Sequence, residues 1–85
     1  MRASFDPRAI EDLAFWVRTR PRIAPRILEL VEATLREPHA GIGKPEPLKH
    51  ELRGCWSRRI DQEHRLVYRV EGEEVVILAA RYHYD

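Results

Sequence analysis

Cysteine is almost missing from this sequence: Cys55 is the only one. One thiol cannot close an internal disulfide, so packing must hold the fold, and such sparse use suits a reducing cytoplasm. Long apolar runs are missing too. No stretch approaches the ~18 consecutive apolar residues that a membrane-spanning helix needs. The opening residues also lack the basic-then-apolar pattern of a secretory signal, so a cytoplasmic location is expected. Glycine is scarce, with four in the chain, and no repeats or low-complexity tracts appear. Excess charge of one sign is absent as well. Fifteen Lys and Arg stand against 14 Asp and Glu, so bulk electrostatics makes no case for a nucleic-acid partner.

What is present is an ordinary globular composition in 85 residues, 44% apolar and 34% charged. That length predicts a single domain, 1–85, burying a little over ~60% of the surface its unfolded chain would expose. The charges are unevenly placed. From Lys44 to Arg65 there are six Lys or Arg against four Asp or Glu, while residues 71–74 read EGEE, a compact acidic cluster. A basic patch on a near-neutral protein follows if the fold brings the first group together.

The first half is helical in pattern and the second half strand-rich. Residues 2–5, RASF, suit a short strand. Asp6-Pro7 is a helix start, with Asp6 as the N-cap and Pro7 at the first helical position. Ile10, Leu13, Ala14 and Val17 then recur at helical spacing and predict the buried face, widened by Phe15 and Trp16. A second helix carries Ile23, Ile27, Leu30, Val31 and Leu35. It either begins near Ala24 or kinks at Pro25, since proline inside a helix removes a hydrogen bond. Pro38 and Gly41 end it.

Residues 48–52, 56–61, 65–70 and 75–84 read as strands, with a hairpin turn at Glu71-Gly72. Trp56 and Tyr68 are expected in the core. The order β-α-α-β-β-β-β predicts an α+β fold: an antiparallel sheet with both helices on one face. Strand alternation would put Arg59, Arg65, Arg81 and His83 on the other face, and Arg58 opposite Arg59, serving structure or a partner.

Residues 41–50, GIGKPEPLKH, join the two halves. Gly43-Lys44 resembles the end of a phosphate-binding loop, but Pro38 stands where the first glycine belongs and Pro45 replaces the hydroxyl that would ligate magnesium. The potential metal ligands His39, His50, Cys55, His64 and His83 show no zinc-finger or HExxH spacing, so no metal or other cofactor is expected. Acid–base chemistry on RNA is a third possibility. Cleaving a strand through its own 2′-OH needs a base, an acid for the leaving 5′-oxygen, and cations for the charge that builds on phosphorus. Glu46, the Lys, His and Arg side chains could supply all three if they converge.

Four segments, KPEPLKH, WSRRI, EHRLVY and RYHY, in this order and spacing, closely resemble the YoeB-type toxins of the RelE superfamily of bacterial toxin–antitoxin systems. The resemblance covers nearly the whole chain. It implies a RelE-like fold, a twisted antiparallel sheet with two N-terminal helices, related to small microbial ribonucleases. It also implies an endoribonuclease that cuts mRNA in the A site of the 70S ribosome, leaving a 2′,3′-cyclic phosphate and a 5′-OH. Carried over by motif, Glu46 is the general base, His83 the general acid, and Arg65 the group that stabilises the phosphorane. Tyr84 orients the base or phosphate. Lys49, His50 and Arg59 bind phosphate, with Lys44 and Arg81 as further contacts.

Lys49 and His50 are neighbours, so on a strand they would point to opposite faces, which favours Lys49. The resemblance further implies a small antitoxin with a YefM-like fold, whose acidic segment folds on the basic face, and a homodimer of the toxin. The family pattern ends at the tyrosine of RYHY, whereas here Asp85 follows. Two competing readings stay open: a non-catalytic RNA- or protein-binding module of the same fold, and a ribonuclease that acts without the ribosome.

Overall fold

The computed structural model describes residues 1–83; Tyr84 and Asp85 lie outside the described residues. The elements run β1 (Arg2–Phe5), α1 (Pro7–Thr19), α2 (Ile23–Arg36), β2 (Glu46–Pro47), a 3-10 turn (His50–Leu52), β3 (Trp56–Arg59), β4 (Arg65–Glu71) and β5 (Glu74–Tyr82). The strands form one sheet in the order β1-β5-β4-β3-β2. All neighbours are antiparallel except β1, which runs parallel to β5. The α+β order predicted from sequence is therefore observed, with one parallel edge strand.

Local chemistry sets the helices. The Asp6 carboxylate accepts from the Arg8 N–H, and Pro7 opens α1 at a position whose amide has no intrahelical acceptor. Pro25 is the third residue of α2, still within the first turn, where no helical bond is lost. The helix accordingly starts at Ile23, one residue before Ala24, as the first of the two alternatives expected. The buried face of α1 differs from expectation. Ile10 and Val17 are 56% and 55% exposed, and Ala9 and Asp12 turn inward beside the expected Trp16, with Leu13 and Phe15 packed at the edge of the core.

The reason lies in β5. Tyr68 of β4 faces Ile77, but Val67 faces Ala79 and Arg65 faces Tyr82, so β5 bulges twice in its second half. β1 stops pairing at Ile77, and beyond it α1 takes the free side of β5. The Ala80 N–H donates to the Asp12 carboxylate at 2.9 Å, and the Ala80 carbonyl accepts from the Trp16 indole at 2.7 Å. A buried bulge needs its polar backbone satisfied from outside the ladder, and α1 presents a buried acid and an indole for that purpose.

Two apolar clusters result. The larger lies between the helices and the sheet, around Trp16, Ile27, Leu30, Leu66, Tyr68 and Ile77. The smaller occupies the other face, where Leu48 and Cys55 close over Val67 and Ala79. The segment predicted as a strand over 48–52 is not one. The strand is Glu46–Pro47, and the chain then leaves the sheet at the 3-10 turn, with His50 in the left-handed region at φ 58°. Among the described residues no helix is long and apolar enough to cross a membrane.

Candidate active site

The loop after α2 is mounted on a buried arginine. Arg58 points from β3 to the helix side and is fully buried. Its guanidinium donates to the carbonyls of Glu37, Ala40 and Ile42, and its Nε lies 3.4 Å from the Tyr68 hydroxyl. Tyr68 in turn donates to the Pro38 carbonyl. Burial raises the Tyr68 pKa above the usual phenol value, against the opposing bond and charge of Arg58, so the hydroxyl keeps its proton and stays a donor.

Gly43 packs into the same region with φ 82°, and a Cβ there would stand 2.7 Å from Leu30 Cδ2. Its carbonyl accepts from the Arg59 N–H at 2.6 Å. The chain leaves this anchor through Lys44 and Pro45 and enters the edge strand at Glu46, opposite Ser57.

Strand alternation then assembles the site on the other face. Ser57 and Arg59 of β3 lie opposite Val67 and Arg65 of β4, and Arg65 lies opposite Tyr82. The Arg65 guanidinium, whose side chain is 14% exposed, donates to the Glu46 carboxylate at 2.6 Å and to the Ser57 hydroxyl at 3.4 Å. Glu46 is half exposed and opens on a cleft of about 450 Å³ that also meets Lys49, His50, Glu51 and Tyr82. Both Lys49 and His50 border this cleft. The two neighbours do not point to opposite faces as on a strand, because the segment is a turn.

The remaining predicted residues are placed differently. Arg59 is exposed and is the cross-strand neighbour of Arg65. Lys44 is exposed at the foot of the loop, with φ 51°. Arg81 is not on the face of Arg65. The bulges break the alternation of β5, and its guanidinium lies 3.7 Å over the Phe15 ring of α1.

His83 is likewise on the α1 side. It is exposed, and its ring centroid is 6.0 Å from that of His64, which packs edge-on against Trp16 at 4.8 Å. The His64 Nδ1 lies 3.0 Å from an Asp61 oxygen, and Arg20 donates to the other oxygen at 3.1 Å. Partial burial pushes the Asp61 pKa up, but bonds from the His64 and Glu63 amides and the His64 ring outweigh it and lower it to about 2. Tyr84 lies outside the described residues.

Sequence reasoning missed Ser57, Tyr82 and the Arg58–Tyr68 anchor. The arginine pair in WSRRI held a signal for the last: on a strand one of the two must face the core, and a buried guanidinium needs several acceptors.

The site thus offers a solvent-accessible carboxylate as proton acceptor, held beside a nearly buried guanidinium, with a lysine and an imidazole along the same cleft. Fold and site together define a small α+β protein with a carboxylate–arginine centre on the sheet face away from its helices. Residues 5–84 match the family described as YoeB-like toxin of bacterial type II toxin–antitoxin system. The chain is 57% identical to toxin YoeB of Mycobacterium bovis over 81 residues, 95% of each chain. It superposes on a YoeB/ParE toxin from Agrobacterium tumefaciens with a TM-score of 0.93 and 43% identity, covering 99% of this chain and all of that one. The YoeB of a heterotetrameric YoeB–YefM complex from Staphylococcus aureus gives 0.87 at 40% identity, covering 99% and 98%. The chain belongs to the YoeB-like toxin family.

Proposed function

We propose that this toxin is a ribosome-dependent mRNA interferase that cuts mRNA in the ribosomal A site by metal-independent attack of a 2′-OH on its own phosphodiester. The observation that carries the reading is the Glu46–Arg65 pair, 2.6 Å apart at the mouth of a cleft bordered by Lys49 and His50. The Glu46 carboxylate is half exposed, so its oxygens are open to a substrate hydroxyl.

In the proposed reaction, the scissile phosphate takes Arg65 from Glu46. Glu46 then removes the 2′-OH proton, the O2′–P bond forms, and the charge gathered on the phosphoryl oxygens is held by Arg65 with Lys49, His50 and Arg59. The P–O5′ bond breaks, and His83 gives its proton to O5′, leaving a 2′,3′-cyclic phosphate and a 5′-OH. For this step His83 leaves its contact with His64 and turns toward the leaving oxygen. Tyr84 orients the base or the phosphate. Lys44 steers the strand toward the cleft, and Arg81, stacked on Phe15, supports the end of β5.

The partner is a YefM-like antitoxin in the same cytoplasm, whose acidic segment covers the basic side chains around the cleft. The support is the YefM complex of the S. aureus relative together with Lys49, His50 and Arg59 beside the site.

The test is to add purified protein to a translating extract and map mRNA 5′ ends, with Glu46→Ala and His83→Ala beside the parent. Codon-phased cuts by the parent alone are expected. Equal cutting of naked RNA would favour a ribosome-independent ribonuclease. Binding without any cuts would favour the non-catalytic module and overturn the reading.

A further inference from the structure

The cleft at Glu46 does not end at His50. A second hollow of about 380 Å³ adjoins it, bordered by Leu48, Lys49, His50 and Arg53. Three of those residues, Leu48, Lys49 and His50, border both hollows, so the two share a wall. Their chemistry differs. The first has two carboxylates, Glu46 and Glu51, whereas the second has none and adds an arginine.

The backbone that carries these side chains is fixed. Leu48 N–H donates to the Cys55 carbonyl, closing the segment into a loop. Inside it, Leu52 N–H bonds to Lys49, Arg53 N–H to His50, and Cys55 N–H to Leu52. Leu48 and Cys55 seat the loop in the smaller apolar cluster. These bonds hold His50 in the left-handed region, where a non-glycine side chain stays only when its surroundings dictate it. Lys49, His50 and Arg53 therefore project around one hollow from a rigid turn. Among the described residues, none of the three side chains has a carboxylate partner.

We propose that Arg53, beside the wall that Lys49 and His50 share with the reacting cleft, forms a second phosphate subsite that takes the RNA backbone phosphate next to the reacting one, with Lys49 and His50 bridging the two phosphates. The inference rests on the ribonuclease reading above and adds Arg53 to it. A hollow with cationic donors and no carboxylate selects an anion, and the guanidinium fork matches phosphate oxygens. Its walls hold no Phe, Tyr or Trp ring, and its one imidazole, His50, is assigned to the phosphate, so the subsite reads the backbone more than the sequence. That phosphate could belong to the strand being cut or to structural RNA of the ribosome, and the two sources share this chemistry.

The experiment measures binding of 2′-O-methyl oligonucleotides, which cannot be cut, to the parent, Arg53→Gln and Arg53→Lys at two salt concentrations. A dinucleotide carries one internal phosphate and a trinucleotide two. Vacant ribosomes form a third arm. Arg53 is exposed on a turn, and circular dichroism checks that each variant is folded.

The parent should hold the trinucleotide more tightly than the dinucleotide. Arg53→Gln should remove that gain, about five- to tenfold, and lower the salt slope by somewhat under one, while leaving the dinucleotide unchanged. Arg53→Lys should restore part of it. Loss confined to ribosome binding would support the subsite and assign its phosphate to structural RNA. Unchanged binding of Arg53→Gln in all three arms would overturn the subsite while leaving the catalytic reading intact. A parent that binds RNA through Arg53 yet cuts nothing in the translating extract would keep the subsite and remove the nuclease. A parent that binds no RNA in any arm would overturn both.

Discussion

Glu46 and Arg58 lie twelve positions apart in the sequence and answer different questions when mutated. Glu46 is half exposed, so water screens its pair with the largely buried Arg65, and the pair contributes modestly to folding, on the order of 1 kcal/mol. As the proposed base it carries much of the rate. Glu46→Gln should cut cleavage in the translating extract by at least about 100-fold while moving the urea midpoint only modestly. Arg58 should do the reverse at its origin. Arg58→Met leaves three loop carbonyls and the Tyr68 hydroxyl without their donor or partner, and should cost about 3 kcal/mol or more in urea unfolding. Activity falls as well, because the mount of Glu46 loosens.

Asp61 gives a pH signature. Its pKa of about 2 lies below the value near ~3.9 of an unfolded chain, so its stabilisation is complete above about pH 4 and is lost as pH falls toward 2. With screening allowed for, the loss is on the order of 1 kcal/mol. Asp61→Asn should flatten that part of the curve of melting temperature against pH.

At the scale of elements, the bond between α1 and the bulge of β5 decides which way both turn. Asp12→Ala leaves the buried Ala80 N–H without an acceptor, which costs about 1–3 kcal/mol. The Ala80 amide should then exchange its hydrogen faster than the amides around Ile77, which β1 still covers. The existence of α1 was readable, since Asp6-Pro7 and a 3.6-residue apolar period are local signals. Its inward face was not. A period counts only apolar residues, whereas the buried side here includes an acid whose partner lies 68 positions away.

The same holds for the site. Glu46, Lys49 and His50 border one cleft, and Arg65 pairs with Glu46 at its mouth. Arg81 and His83 were misplaced because simple alternation cannot register two bulges, and a bulge is defined by the neighbouring strand. Arg58 was assigned correctly to the face opposite Arg59. Its role as an anchor stayed hidden because its acceptors are backbone carbonyls, which carry no side-chain signature.

At the scale of the whole molecule, the sheet divides the labour. The helix side holds the larger core, the Arg58–Tyr68 anchor and the Asp61–His64 pair. The other face holds the smaller core and the cleft. Since the chain as a whole carries a net charge of only +1, the proposed attraction for RNA would come from this local grouping and not from the molecule's total. Binding of oligonucleotides should accordingly fall with salt by the few phosphates that the cleft can reach.

The anchor also fixes how this protein can change over time. One guanidinium reaches carbonyls at positions 37, 40 and 42, so a single side chain measures the length of the loop. An inserted or deleted residue between Glu37 and Gly43 would slide one carbonyl off its donor and shift Glu46 along the edge strand relative to Ser57. The exposed side chains of Ala40 and Ile42 can be exchanged freely, because their backbone is what Arg58 holds. Apart from Gly41, whose φ of 107° favours glycine, the segment is therefore free to drift in identity and bound in number, and in lineages that keep this arginine the loop should diverge by substitution alone.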